Sequence, residues 1–522
     1  MNIFFIYLKL IKYYLIKYNL IDKIKILMNE FNNLSFEQIE KSFVNYLLKL
    51  TGPNREEDKK REDKYENLKK YLLEELKKDE KLKKYNFYIF SFGSFPFKIY
   101  HNESDIDITI VIKDKNTNLI LYNDTNNEEN YEKKKEFLIK VHSILKNYFI
   151  NKNSNDNYIQ DIILDKNNLV PLVKCKYESI AFDITVNNLD GLLKIIFMNY
   201  LEKNFLDSKF YKKTLILIKS WCYFQGSILG SNASLLGSYA LECLVIYMFN
   251  YYKNTFNNEI EAFFKFFEIM KNIDWEKKIL SIYDLFDDDQ TLKIKNLLFS
   301  DKYQKENKIN FKKIYDEILS KLERYNFNYK GKNENIIIQR DKKKMFILDP
   351  MYNVFNLAKS VNYHNSFRIK EILIDMNQEC SKIKNLKLKN NCSKKYYLNS
   401  ILKLFNRILS GHIPQLFFDN LPQPKMVILP ANKNEDFEHS NQTEKNAKEI
   451  ANLMRFPILK EITNEQMLND YNNFYVENVN YVTDEIVEFI LEDIKISEDE
   501  KYNYESNQEI QEILNFEINA KI

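Results

Sequence analysis

The sequence predicts an α+β chain, a small mixed-sheet unit followed by a mainly helical one with a cleft between them. Two patterns carry that expectation. Up to about residue 200, short strand signals alternate with helical ones, and from Leu201 to about Phe418 the apolar period is almost wholly helical. The 522 residues leave room for two or three domains, and 45% hydrophobic content, with 36 Tyr and 38 Phe, is enough for a sizeable core.

In chain order, residues 36 to 84 read as two helices around Thr51-Gly52-Pro53, the second (Glu66 to Glu80) charged and solvent-facing. Phe87 to Phe92 is an aromatic strand, and Asp105 to Ile112 alternates polar or small residues with Ile106, Ile108, Ile110 and Ile112. Ser179 to Val186 repeats the alternation; between the last two, Phe137, Leu138, Val141, Ile144, Leu145 and Tyr148 fall at helical spacing. Farther on, Leu215, Ile218, Trp221, Cys222 and Gln225 form one helical stripe, and Ser234 to Tyr252 is a nearly all-apolar helix with a single acid, Glu242. Ile336 to Leu348 reads as a hairpin turning at Arg340-Asp341-Lys342-Lys343 and ending at Asp349-Pro350. After Pro422 the chain becomes polar and then acidic, with Asp484, Glu485, Glu488, Glu492 and Asp493 on a final helix. The expected units are therefore an N-terminal helical extension (1–35), the α/β unit (36–200), whose leading helices can pack on the helical unit, the helical unit (201–420), and a tail (421–522), partly disordered or partner-bound.

Lys and Arg total 77 against 74 Asp and Glu, a net charge of +3, which excludes a globally basic nucleic-acid coat. The five cysteines, at 175, 222, 243, 380 and 392, include no C-x-x-C pair, so neither a disulfide framework nor a thiolate zinc site is indicated. An intracellular setting, cytoplasmic or nuclear, follows as the expectation. Lys9, Lys12, Lys17, Asp22, Lys23 and Lys25 break the apolar N-terminal stretch well short of the ~18 residues of a membrane span. No signal peptide or membrane segment is expected there. An amphipathic helix on the body, a weak membrane-surface helix and a mis-assigned chain start all remain open for it.

Glycine is rare, 8 in 522 where average usage gives roughly 37, so each one is informative. Gly93 sits in Phe92-Gly93-Ser94-Phe95-Pro96-Phe97 directly after a strand, where a glycine turn lets backbone N–H groups and a hydroxyl approach a phosphate. Ser104-Asp105-Ile106-Asp107-Ile108-Thr109 follows. Alternation along a strand turns Asp105 and Asp107 to one face, about 7 Å apart, with Ile106 and Ile108 on the other. Two like charges so close call for a cation. Asp183 repeats the pattern, against Phe182, Ile184 and Val186. Three acids on neighbouring strands would hold two divalent ions, one activating a hydroxyl and the other bridging nucleotide phosphates, as in-line nucleotidyl transfer requires. Among 74 acidic residues an isolated D-x-D carries almost no weight, and Gly-Ser in a turn is as bland. The ordered set carries the reading.

That set, G-S…D-x-D…D, resembles the DNA-polymerase-beta-like nucleotidyltransferase superfamily, and within it the noncanonical poly(A) polymerases and terminal uridylyltransferases. Leu217-Ile218-Lys219-Ser220-Trp221-Cys222 is similar to the family's I-K-x-W helix, and Gly237-Ser238-Tyr239-Ala240-Leu241 to its S-S-Y-A-L segment. Leu348-Asp349-Pro350 with Asn356-Leu357-Ala358-Lys359-Ser360 resembles the D-P…N-x-[GA]-[RK]-S element. Ser227-Ile228-Leu229-Gly230 and Phe182-Asp183-Ile184-Thr185 are most like a plant and protist branch of poly(A)-polymerase-like proteins. The likeness covers about residues 36 to 375. It implies a small mixed-sheet nucleotidyltransferase catalytic domain and a helical poly(A)-polymerase-associated domain. It further implies a ribonucleoside triphosphate, two Mg²⁺ or Mn²⁺ ions and an RNA 3′ end as acceptor. By the same resemblance Asp105 and Asp107 would bind both metals, and Asp183 would complete the first and help deprotonate the 3′-hydroxyl. Gly93 and Ser94 would hold the triphosphate, Lys219 would meet its β/γ-phosphates, Ser238 would add a hydroxyl and Tyr239 would stack on the base.

Each has a plainer alternative: Tyr239 as core, Lys219 as a snorkelling surface lysine, Trp221 as packing, His364 and Arg368 as surface residues. The chain also departs from the family. Tyr223 stands where a second phosphate-binding lysine is often found, Lys194-Ile195 where an Asn-Thr pair meets the ribose, and Met351-Tyr352-Asn353 where an acid or histidine helps choose uracil. Base preference, AMP or UMP, is left open. With no RNA-binding module in the sequence, RNA contact would rest on cleft lysines, on the stretch Lys382, Lys384, Lys387, Lys389, Lys394 and Lys395, or on an RNA-binding protein partner. The rival readings are nucleotidyl transfer to a small molecule or protein, and a catalytically silent scaffold.

Overall fold

The computed structural model describes residues 30–287, except 118–119, 122–127, 153–161, 166–169 and 205, and residues 345–412, except 352–355 and 390–391. It also describes 486–487, 489–496, 502 and 509–518. Two helices lead. α1 (Phe36–Thr51) starts from a capping box between Ser35 and Gln38, and α2 (Arg55–Lys78) from Asn54, whose side chain accepts from the Glu56 and Glu57 amides. The charged helix thus begins well before Glu66, because the cap and the acids of its first turn lie at 54–58.

The sheet follows. β1 (Tyr85–Phe92), β2 (Ile106–Asp114), β3 (Ile163–Asp165), β4 (Leu172–Tyr177) and β5 (Ile180–Val186) lie in the order β1-β2-β5-β4-β3. All neighbours are antiparallel except β2 and β5, which run parallel; the crossover between them includes helix α3 (Glu128–Lys152). Strand alternation sorts the sheet's two faces. Ile106, Ile108, Ile110, Phe182, Ile184 and Val186 share one core with Leu68 and Leu72 of α2 and Leu138 and Val141 of α3. The opposite face carries Asp107 and Asp183 and turns toward the helical unit, where Val111 joins the second, larger core.

α4 (Leu189–Asn204) leads into that unit, built on α5 (Ser208–Ser220), α6 (Ser238–Tyr252), α7 (Glu259–Asn272), α8 (Tyr363–Lys387), α9 (Lys394–Leu404) and α10 (Asn406–His412). A five-residue π turn, Trp221–Gln225, extends α5. The apolar helix read from Ser234 begins only at Ser238, because Ser234 is left-handed (φ 59°) and Gly237 is extended. A short pair, β6 (Lys278–Leu280) and β7 (Leu285–Asp287), escaped the periodicity, three residues per strand being too few to read. Ile347 bridges Leu280 beside it, whereas residues 336–344 of the expected hairpin lie outside the described residues.

α1 packs on the helical unit: Ile39, Phe43 and Leu47 belong to the same core as α5 and α7. The tail is partly built into the body as well. Ile486, Val487, Ile490 and Leu491 are buried in that core, Phe489 packs edge-on against Tyr46, and Asp493, read as one acid of a final helix, is buried and accepts from the Asn45 side-chain amide at 2.9 Å. A last helix, α11 (Glu509–Ile518), reaches β1. Asp484, Glu485, Glu488 and residues 1–29 lie outside the described residues. Among the described residues no helix is long and apolar enough to cross a membrane.

Candidate active site

Asp107 is brought opposite Asp183 by the parallel register of β2 and β5, and opposite Phe92 by the antiparallel register of β1 and β2. One strand end therefore gathers the Gly93 turn and two carboxylates, with exposed Asp105 one residue before β2. Burial, then the charges of Asp105 and Asp183, push the Asp107 carboxyl well above its usual range, while Lys219 and Lys174 act in the opposite sense. Asp183 is also raised, chiefly by burial, and its Oδ2 accepts from the Lys174 ammonium at 2.9 Å. Lys174 is a site residue the sequence reading missed; its only mark is its place opposite Asp183 across the β4–β5 ladder.

Gly93 answers a steric demand. Its φ is +74°, and a Cβ there would lie 2.6 Å from Asp107 Oδ2, so only glycine lets the turn close over the carboxylate. Ser94, half-buried, follows, and the Ile99 amide donates to the Ser94 carbonyl at 3.1 Å. Arg61 of α2, also missed, fixes the loop between this turn and Asp105. It is buried, donates to the carbonyls of Ser104 (2.8 Å) and Asn102 (2.6 Å), and lies 4.6 Å over the Tyr100 ring.

The helical unit brings Lys219 to this strand end. Lys219 is no surface lysine: it is 2% exposed, donates to the Ile99 carbonyl at 3.2 Å and lies 3.7 Å from Glu242. Burial raises Glu242 and the charges of Lys219 and Lys194 oppose it, which accounts for the one acid on that apolar helix. Ser238 is exposed at the first position of α6, among amides without intrahelical partners. Tyr239 is half-buried, with the Lys194 ammonium 4.3 Å over its ring and its hydroxyl buried near Asp349 and Cys243. Tyr223 packs on His101 at 4.4 Å, and burial followed by the nearby Lys219 and Arg61 charges lowers His101 to about 3, leaving it neutral.

Other singled-out residues have structural work. Trp221 is buried, bonds the Leu404 carbonyl at 2.9 Å and packs edge-on against Phe267. Asn356 ties Met345, Ile347 and Ala358 together, and the Ser360 hydroxyl donates to the Leu235 carbonyl. Of the basic stretch, Lys387 is bonded to buried Glu40 and to Glu261, and Lys382 to Glu379. His364 is exposed on α8, and Arg368 is half-buried, held below its usual range by burial and by Arg407. Tyr352 and Asn353 lie outside the described residues.

Among the described residues no group of three or more His, Cys, Asp or Glu side chains is placed to hold a metal ion. The donor chemistry nevertheless fits a hard divalent cation. Asp105 and Asp183 lie near enough to raise Asp107 by their charge, and that repulsion is what such a cation relieves. Lys174 already plays that neutralising part for Asp183.

Comparison with known proteins adds the family. Residues 41–200 match the family described as poly(A) RNA polymerase, mitochondrial-like, central palm domain, and residues 205–405 match the PAP/OAS1 substrate-binding domain. No curated protein matches. Solved structures similar to this chain include the Cid1 poly(U) polymerase (12% identity over 67% of this chain and 95% of that one, TM-score 0.42). A cytoplasmic RNA terminal U-transferase (12%, 70% and 98%, 0.43) and mtPAP in complex with ATPγS (12%, 74% and 75%, 0.45) are others. The palm match ends within α4 and the substrate-binding match begins just beyond that helix, so that the two together take in the sheet and the helical unit: the chain belongs to the poly(A)-polymerase-like nucleotidyltransferases that join a palm domain to a PAP/OAS1 substrate-binding domain.

Proposed function

We propose that this chain transfers AMP or UMP from a ribonucleoside triphosphate to the 3′ end of an RNA without a template. The observation that carries the reading is the pairing of Asp107 with Asp183 beside the Gly93 turn, within reach of the Asp105 and Lys219 charges. Asp105 and Asp107 would hold two divalent ions, Mg²⁺ or Mn²⁺, and Asp183 would join them on leaving Lys174. Such ions supply an activated hydroxyl nucleophile and charge neutralisation on the phosphates. The Gly93–Ser94 turn and the N-terminus of α6 at Ser238 offer backbone and hydroxyl donors to the triphosphate. Lys219 adds positive charge at the floor of the cleft, and the Tyr239 ring is a stacking face for the base. Asp183 would accept the 3′-hydroxyl proton.

RNA contact would rest on the active-site lysines, on exposed lysines of the basic stretch such as Lys384 and Lys389, or on a protein that delivers the RNA, whereas Lys387 is held by buried Glu40. The five free cysteines, four of them buried, accord with a reducing intracellular compartment, cytoplasmic or nuclear. Purified protein, Mg²⁺ or Mn²⁺, each labelled NTP in turn and an RNA oligonucleotide test the reading. Extension of the oligonucleotide by wild type, lost by a factor of at least about 10² in Asp183→Ala, is expected. Pyrophosphate release without RNA would point instead to a small acceptor, and nucleotide binding without turnover under either metal to a silent scaffold.

A further inference from the structure

β1 is an edge strand, and its outward backbone groups would be open to any pairing partner. The structure closes that edge from two directions, both at the residues leading into Gly93. The Tyr65 hydroxyl of α2 lies 3.4 Å from the Ile89 carbonyl. Glu509, at the start of α11, accepts from the Ser91 amide at 2.9 Å and also from the Ser91 and Tyr65 hydroxyls. Glu509 is 8% exposed, and burial pushes its carboxyl up while the Ser91 and Tyr65 bonds and the Lys69 charge hold it down. An acid is carried more than 400 positions along the chain to meet one strand residue, two before the turn that closes over Asp107.

Three further contacts belong to the same tail. Tyr502 donates to Asp58, Asp493 accepts from Asn45, and Phe489 packs on Tyr46. From the other side α4 lies on β1 where Gly191 faces the Phe92 ring; a Cβ there would be 2.6 Å from it. α11 contacts both α4 and β1.

We propose that the C-terminal segment is an intramolecular clamp on the catalytic sheet, with Glu509 a positioning residue that seals the β1 edge at Ser91 and thereby fixes the Gly93–Ser94 turn. The link to nucleotide binding rests on the function proposed above; the clamp itself does not. Without Glu509 the Ser91 amide and hydroxyl lose a buried acceptor, and the turn loses its fixed approach.

The test uses the full chain carrying Glu509→Ala, Glu509→Gln or Tyr65→Phe. Hydrogen exchange over residues 89–95 is read without substrate, alongside KM for the NTP and kcat. For Glu509→Ala, exchange at Ser91 should rise about tenfold or more while helices α7 and α8 exchange as in wild type. KM should rise about fivefold with kcat changed less than about twofold. Glu509→Gln, which keeps a carbonyl acceptor for the Ser91 amide, should recover most of both. Unchanged exchange at 89–95 in all three variants overturns the clamp, as does faster exchange spread evenly over the whole chain. Should the protein transfer nucleotides to no acceptor, the exchange arm still decides the clamp.

Discussion

At the scale of single residues, Asp107 shows what the site costs the fold. Its carboxyl is raised above its unfolded value, so between those two values the folded state holds more proton than the unfolded one. Stability from this group is complete at acid pH and is lost as pH rises through the raised value. In EDTA, wild-type protein should therefore lose melting temperature as pH climbs out of the ordinary carboxylate range, and Asp107→Asn should lose less. At neutral pH the variant should melt a few degrees higher than wild type yet extend no RNA. Mg²⁺ should raise the melting point of wild type alone. Thermal melts across pH, with and without metal, check all three. Gly93 was legible as a constrained position from glycine's rarity, but the nature of the constraint, contact with Asp107 Oδ2, was not.

At the scale of elements, a strand start is only as fixed as the loop that feeds it. The loop between the Gly93 turn and Asp105 is pinned by Arg61 through two backbone carbonyls and the Tyr100 ring, and by the Asn102 amide donating to the Thr51 carbonyl at 2.9 Å. Arg61→Ala leaves buried carbonyls unpaired and should cost about 3 kcal/mol of stability. Arg61→Lys should cost nearly as much, because an ammonium cannot reproduce the guanidinium fork. Denaturant melts measure both. Periodicity located the three site strands within a few residues, since Ile106, Ile108, Ile110, Phe182, Ile184 and Val186 alternate cleanly. It could not see Arg61, which reads as one more charge on a helix dense with them.

At the scale of the whole molecule, the two units are not separable. The larger core joins α1, α4, the helical unit and the tail residues Ile486, Ile490, Ile510 and Ile513, and the Thr51 and Ser220 hydroxyls meet at 3.1 Å across it. Residues 36–200 expressed alone would expose the apolar faces of α1 and α4 and should aggregate, whereas the full chain should unfold in one transition. Solubility of the fragment and calorimetry of the full chain check this. Packing runs without a break across the boundary expected near residue 200.

Linear pattern was enough for the α+β class and the family likeness, and it put three acids forward as candidates, because these depend on local alternation and on short motifs that survive without knowledge of distant neighbours. That Asp183 is held by Lys174, that Lys219 is sunk against Glu242 and that Glu509 bonds the β1 edge emerge from the folded arrangement alone. Charge pairing and edge sealing join groups far apart along the chain, and a linear pattern carries no record of which distant partner a buried charge will find.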